Sequence, residues 1–217
     1  MIDAVTHSGA PFTVLGRNTS SNVQKVMWLL AEIGADCTRV DMGGAYGGNR
    51  EEEYLKRNPN GVVPTILHGD HAVWESNTIL RYIANVFPDS GLYPAEAVAR
   101  AQIERWMDWQ LSTFGPANVL LYQGIIRTPA PYRQRDAIEQ YRQRNAELVA
   151  ILDGVLSERK FVAGHAFTLA DIAMGPQIHR WFNLPVERPE AKHVRNWYGG
   201  LCERAPFVEH VQSIAFV

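Results

Sequence analysis

Glu75, Ser76 and Asn77 stand together where a strand-like run gives way to a helical pattern. An acid, a hydroxyl and an amide at a helix start suit two kinds of work. In its ordinary use the Ser76 hydroxyl is an N-cap. The unpaired N–H groups of a first helical turn, with the dipole behind them, also hold a carboxylate, and Glu75 beside them suits an ammonium group. Upstream, Pro64 follows Val63 at the entry to another strand-like run. A trans proline is the base-rate expectation there, since only about 5–6% of X-Pro bonds in folded proteins are cis. A cis bond would turn Val63 outward, leaving its N–H and C=O exposed like a sheet edge. An extended peptide docks on such an edge by antiparallel backbone pairing. A molecule with an α-ammonium, an α-carboxylate and peptide backbone behind them matches all three features. A third cluster, Asn18-Thr19-Ser20-Ser21-Asn22, offers hydroxyl and amide donors at another helix start, where one of them must cap.

The elements that position these residues have two textures. Residues 12–84 alternate short strands and helices. Phe-Thr-Val-Leu-Gly reads as a strand, and Val23, Val26, Met27 and Leu30 follow at helical spacing, with Gly34 as a stop. Residues 37–42 form a second strand and 50–58 a short helix or turn. Two β-runs flank the turn at His68-Gly69-Asp70, and a helix closes the segment. The order βαβαββα predicts a parallel pair followed by an antiparallel hairpin. Pro88, Gly91 and Pro94 punctuate a linker. Beyond it, helices are predicted over 95–122, 132–157, 168–182, 192–203 and 207–214. The chain is thus read as an α/β domain over 10–88 and an all-helical domain over 95–217.

Composition excludes several classes. With 21 Lys and Arg against 23 Asp and Glu, the net charge is −2 and no basic run stands out, so a nucleic-acid or anionic-membrane partner has no electrostatic support. The two cysteines, Cys37 and Cys202, have neither disulfide-framework nor metal spacing, and are expected as small buried residues in a reducing compartment. No metal site is expected. The first residues lack a basic region followed by an apolar core, and no apolar run has the length of a membrane span, which makes a cytoplasmic location the expectation.

The run Asn-Pro-Asn-Gly-Val-Val-Pro-Thr-Ile at 58–66, followed by Glu75-Ser76-Asn77-Thr78-Ile79, resembles the glutathione-site core of the cytosolic glutathione transferases. That family's pattern is Asn-Pro-x-x-x-Val-Pro-x-Leu with a later Glu-Ser-x-x-Ile. A second stretch, Ala-Phe-Thr-Leu-Ala-Asp-Ile-Ala-Met-Gly at 166–175, is similar to the family's helical-domain signature. It is structural: Thr168 as N-cap with Asp171 three residues on makes a capping box, and Phe167 with Ile172 a hydrophobic staple. Losing either cap member costs about 0.5–2 kcal/mol.

The resemblance implies a thioredoxin-like first domain, glutathione as co-substrate, no metal, and a homodimer. Glutathione, γ-glutamyl-cysteinyl-glycine, is a molecule of the kind described above. The family places the thiol-activating group at the start of the first helix. Gly16 to Val26 resembles bacterial members with an Asn/Ser-rich turn and the Ser-Ser-x-x-x-Arg arrangement of zeta-like members, with Lys25 in the arginine's place. This makes Ser20 the matching serine and Asn22 a second donor, with Thr19 and Ser21 close enough to substitute. Val63, Pro64, Glu75 and Ser76 become the glutathione-binding residues. Val62 replaces the family's usual Lys or Gln, so Arg50 or the loop at 43–48 is expected to supply the lost glycine-carboxylate contact. Trp109 and Phe114 are candidates for contacting an apolar electrophile, and the tail at 213–217 for folding back over the cleft. Arg81, Arg100 and Arg105 are candidate dimer anchors. The activity implied is thiolate attack on an electrophile; disulfide reduction, dehalogenation or isomerisation on the same site, or a non-catalytic adaptor of this fold, are the alternatives.

Overall fold

Four short strands form one sheet in the order β2-β1-β3-β4. β1 (Phe12–Leu15) lies in the interior, where Phe12, Val14 and Leu15 are buried. It pairs in parallel with β2 (Cys37–Val40), Phe12 opposite Cys37, and antiparallel with β3 (Thr65–His68), Phe12 opposite His68. β3 and β4 (His71–Trp74) form the expected hairpin. The computed structural model describes residues 11–216, so residues 10 and 217, the outer limits of the two domains read from the sequence, lie outside it.

α1 (Ser21–Glu32) and α3 (Ser76–Val86) pack against each other in this unit. Val23, Val26, Leu29 and Leu30 from α1 and Ile79, Leu80 and Ile83 from α3 are fully buried. α1 ends in a Schellman motif: Gly34, at φ 64°, donates to Ala31 over 3.3 Å and Ala35 to Leu30 over 2.9 Å. That left-handed residue is the reason the glycine stop is legible. α2 (Glu52–Leu55) is a single turn that buries Tyr54.

The chain divides after Tyr93, and from Pro94 onward a second unit is helical. It contains α4 (Ala97–Trp109), α5 (Gly115–Tyr122), α6 (Arg135–Leu156), α7 (Leu169–Asn183), α8 (Lys192–Cys202) and the short α9 (Ala205–Phe207). The single helix expected over 95–122 is interrupted. Pro116 has no N–H to continue the ladder, and the Gly115 N–H instead reaches back five residues to the Gln110 carbonyl, making a π turn over Gln110–Phe114. A Cβ at Gly115 would stand 2.8 Å from that carbonyl oxygen, so the close approach needs glycine. α7 is buried on nearly every side. Its start carries the capping box: Thr168 Oγ1 accepts from Ala170 N–H, and Asp171 Oδ2 accepts from Thr168 N–H. The Phe167 ring lies edge-on to Phe161 with the Arg204 guanidinium over it, while Ile172 is fully buried.

Cys37 and Cys202 form no disulfide, and both are partly exposed, which corrects the expectation of buried thiols. β2 is an edge strand whose residues alternate between half-buried and exposed, and Cys202 closes a surface-lying helix. Among the described residues, no helix is long and apolar enough to cross a membrane. None of their His, Cys, Asp and Glu side chains gather in a group of three or more able to hold a metal.

Candidate active site

The Val63–Pro64 peptide bond is cis. Beneath it lies a buried polar knot. Asn58, with no exposure, donates through Nδ2 to the Val62 carbonyl over 2.9 Å and to Thr65 Oγ1 over 3.0 Å. The Tyr54 hydroxyl donates to the same carbonyl over 2.5 Å and lies 2.9 Å from Thr65 Oγ1. Burial pushes the Tyr54 phenol above its ordinary range, so it stays a neutral donor. Two glycines bring neighbouring backbone against the same loop: a Cβ at Gly16 or at Gly43 would each lie 3.3 Å from a Val63 side-chain carbon. Val63 is therefore held between the end of β1 and the loop that follows β2. Among the described residues, its own N–H and C=O make no hydrogen bond.

Glu75 sits at φ 67°, ψ 112°, and is the one described non-glycine residue with positive φ. Such a conformation is costly for a residue with a Cβ and gathers at ligand sites. Glu75, not Ser76, occupies the N-cap position of α3; its side chain makes no cap bond and is exposed. Ser76 is thus the first helical residue, which corrects the cap reading. Its buried hydroxyl lies 3.4 Å from Lys25 Nζ. No acidic residue follows in the first turn of α3 or of α1, so both positive helix ends are uncompensated from within the helix.

At the start of α1, Ser20 is the N-cap residue by backbone, accepting from Gln24 N–H over 2.9 Å. Its hydroxyl makes no cap bond and has no partner among the described residues. Thr19 and Asn22 are half-buried, whereas Ser21 is buried and engaged elsewhere. The donor cluster thus divides: Ser21 faces the protein, and Ser20 keeps its hydroxyl uncommitted.

Arg50 is exposed and lies over Gly61, its Nη1 2.9 Å from where a Cβ would stand. Asn49 Nδ2 donates to the Gly61 carbonyl over 2.6 Å. Arg17 packs along Gly43 and Gly44, its Nη1 3.4 Å from a Gly43 Cβ. Two guanidinium groups therefore lie near the loop that carries Val63, Arg50 at Gly61 and Arg17 at Gly43.

Comparison with known proteins is consistent along the length of the chain. The model of the glutathione S-transferase N-terminal domain matches residues 10–85, and that of the C-terminal domain residues 106–205. Glutathione S-transferase GstB of Escherichia coli is 35% identical over 204 residues, covering 93% of this chain and 98% of that protein. The chain belongs to the glutathione S-transferase family. A theta-class glutathione S-transferase from Xanthomonas axonopodis pv. citri, solved with glutathione bound, is 39% identical with a TM-score of 0.92, covering 96% of this chain and all of that one. Glutathione S-transferase 3 of Zea mays is 31% identical over 94% of this chain and 95% of its own length.

This glutathione S-transferase carries its aromatic candidates around the π turn at Gln110–Phe114. Trp109 is half-buried, edge-on to Trp106 at 5.3 Å and tilted against Phe114 at 5.6 Å. Phe114 has no exposed surface, so the structure places it in the core, supporting Trp109 and presenting no face to a ligand. In the tail, Phe216 lies edge-on to Tyr122, and Val217 is outside the described residues. Of the three arginines read as dimer anchors, Arg105 is exposed. Arg100 Nε donates to the Pro94 carbonyl, and Arg81 is half-buried. Sequence reasoning missed Arg17, Asn49, Tyr54 and the burial of Lys25. Asn58 was in view as part of a motif, but its donation to the Val62 carbonyl was not. Nothing local marks these roles, because each depends on a partner distant in sequence.

Proposed function

We propose that this glutathione transferase binds glutathione along the 62–64 backbone and activates its thiol at the start of α1. The observation that carries the reading is the uncommitted Ser20 hydroxyl, in the same unit as an unpaired Val63 backbone and a Glu75 held at positive φ. The cysteinyl backbone pairs antiparallel with Val63. The glutamyl α-carboxylate accepts from the Ser76 hydroxyl and the first N–H groups of α3, and the α-ammonium meets Glu75. The glycine carboxylate takes Arg50, with Arg17 nearby at Gly43, in place of the contact that Val62 does not offer.

The sulfur then lies at Ser20. A thiol ionises around pH 8.5, and the thiolate is the nucleophile. Ser20 donates a hydrogen bond from its hydroxyl to that sulfur, aided by the positive end of α1 and with Asn22 as a second donor. The thiol proton leaves to solvent, the thiolate forms a bond to the electrophilic carbon, and the leaving group departs with its electron pair. Trp109 is the side chain we assign to the apolar electrophile. We also assign a homodimer and a cytoplasmic location, both on the family likeness.

Ser20→Ala tests the reading. Loss of one charge-assisted hydrogen bond, roughly 1.5–3 kcal/mol, lowers turnover with an activated aryl halide about 10- to 100-fold and raises the bound thiol's pKa by one to two units. Glutathione affinity by calorimetry changes little. Unchanged turnover together with an unchanged thiol pKa removes Ser20 from the chemistry.

A further inference from the structure

Lys25, in the second turn of α1, has no exposed surface. Its Nζ reaches across to the start of α3, 3.4 Å from Ser76 Oγ and 3.3 Å from Asn77 Oδ1. An ammonium carries three donors and no acceptor, so at this contact the Ser76 oxygen must accept. The Ser76 proton is then left to point away from Lys25. A hydroxyl whose oxygen accepts from a cation is polarised and becomes a better donor. The charge itself lies in an interior where screening is weak, so an anion beside Ser76 feels it more strongly than in water.

We propose that Lys25 is a positioning residue for glutathione binding: it aims the Ser76 hydroxyl at the glutamyl α-carboxylate and holds a fixed positive charge behind that subsite. The inference rests on the assignment of Ser76 to that carboxylate. A purely structural tie between α1 and α3 would act on any ligand of the site equally. A positioning role acts on one ligand group.

Two probes separate these, glutathione and 4-aminobutanoyl-cysteinyl-glycine, which keeps the amine and lacks only the glutamyl α-carboxylate. Calorimetric affinities are measured on the unmutated protein, Lys25→Met, Lys25→Arg, Ser76→Ala and the Lys25→Met/Ser76→Ala double variant. The unmutated protein prefers glutathione. Lys25→Met and Ser76→Ala each lose that preference by roughly tenfold or more, with affinity for the analogue unchanged, and the double variant loses no more than either alone. Lys25→Arg, which keeps the charge, retains the preference.

Equal weakening of both probes in Lys25→Met, or no change in either, overturns the proposal. If Lys25→Met yields no folded protein, Ser76→Ala decides, because a preference left intact there closes the route through the hydroxyl. Absence of any preference in the unmutated protein instead overturns the site assignment, and the inference with it.

Discussion

Glu75 holds a backbone conformation that its side chain makes expensive. At φ 67° a residue with a Cβ costs about 1–3 kcal/mol over one in an ordinary region, and glycine escapes that cost. If selection acted on stability alone, glycine would serve better here, so the carboxylate has another use. Glu75→Gly should therefore move two measurements in opposite directions. Relief of strain, less the roughly 0.5–1 kcal/mol of extra chain entropy that glycine loses on folding, leaves stability equal or higher by up to about 2.5 kcal/mol. Glutathione affinity falls, since the ammonium loses its partner. Glu75→Ala keeps the strain and loses the carboxylate, so it weakens binding with no gain in melting temperature. Unchanged glutathione affinity in both variants would remove Glu75 from the ligand. The Glu75-Ser76 pair was legible because turn and helix-start chemistry is local in sequence. The burial of Lys25 was not, because nothing in the residues around it tells what the far side of α1 packs against. Only the packing of α1 on α3 shows it buried.

At the level of the element, the start of α7 shows where a motif understates its own energetics. The spacing of Thr168 and Asp171 marks a capping box, which by itself implies about 0.5–2 kcal/mol per member. The folded chain adds donors that no local pattern announces. Asp171, fully buried, accepts at Oδ1 from Val162 N–H and from Trp197 Nε1, each over 2.9 Å, and at Oδ2 from Thr168 N–H over 2.9 Å. Removing the carboxylate orphans three buried N–H donors, each costing about 1–3 kcal/mol, and takes a further partner from the Thr168 hydroxyl. Asp171→Ala should thus lose at least ~3 kcal/mol of unfolding free energy in urea, beyond the cap value alone. A loss inside the cap range would mean that the Val162 and Trp197 bonds contribute nothing. The same locality divides the rest of the fold. Strands, the hairpin and the Gly34 stop follow from short patterns. The π turn at Gln110–Phe114 depends on how Gly115 and Pro116 are accommodated inside a helix that periodicity reads as continuous.

For the molecule as a whole, α7 carries two buried groups whose titrations oppose each other. Burial, then the neighbouring Arg180 charge, lowers His179 from 6.5 to about 4; its Nδ1 lies 2.8 Å from the Tyr198 hydroxyl. Burial raises Asp171 from 3.8 to about 6 against the pull of its hydrogen bonds. As pH falls from 6.5 toward 4, the unfolded chain protonates His179's imidazole before the native state does, so stability is lost. Over nearly the same window the native state protonates Asp171 first, and stability is gained. Glu139, held down to about 2 chiefly by Arg142, is exposed and adds acid loss only below its ordinary range. The stability curve of the intact protein should therefore be nearly flat between pH 6 and 4. His179→Gln removes one of the two slopes. Relative to the parent, its unfolding free energy should rise on acidification from pH 7 to 4, by at most about 3 kcal/mol. Reading the slope rather than the absolute value cancels the lost bond to Tyr198, which stays protonated because burial raises its phenol further. Parallel curves for parent and variant from pH 7 to 4, in urea titrations at half-unit steps, would show that His179 titrates alike in the folded and unfolded chain.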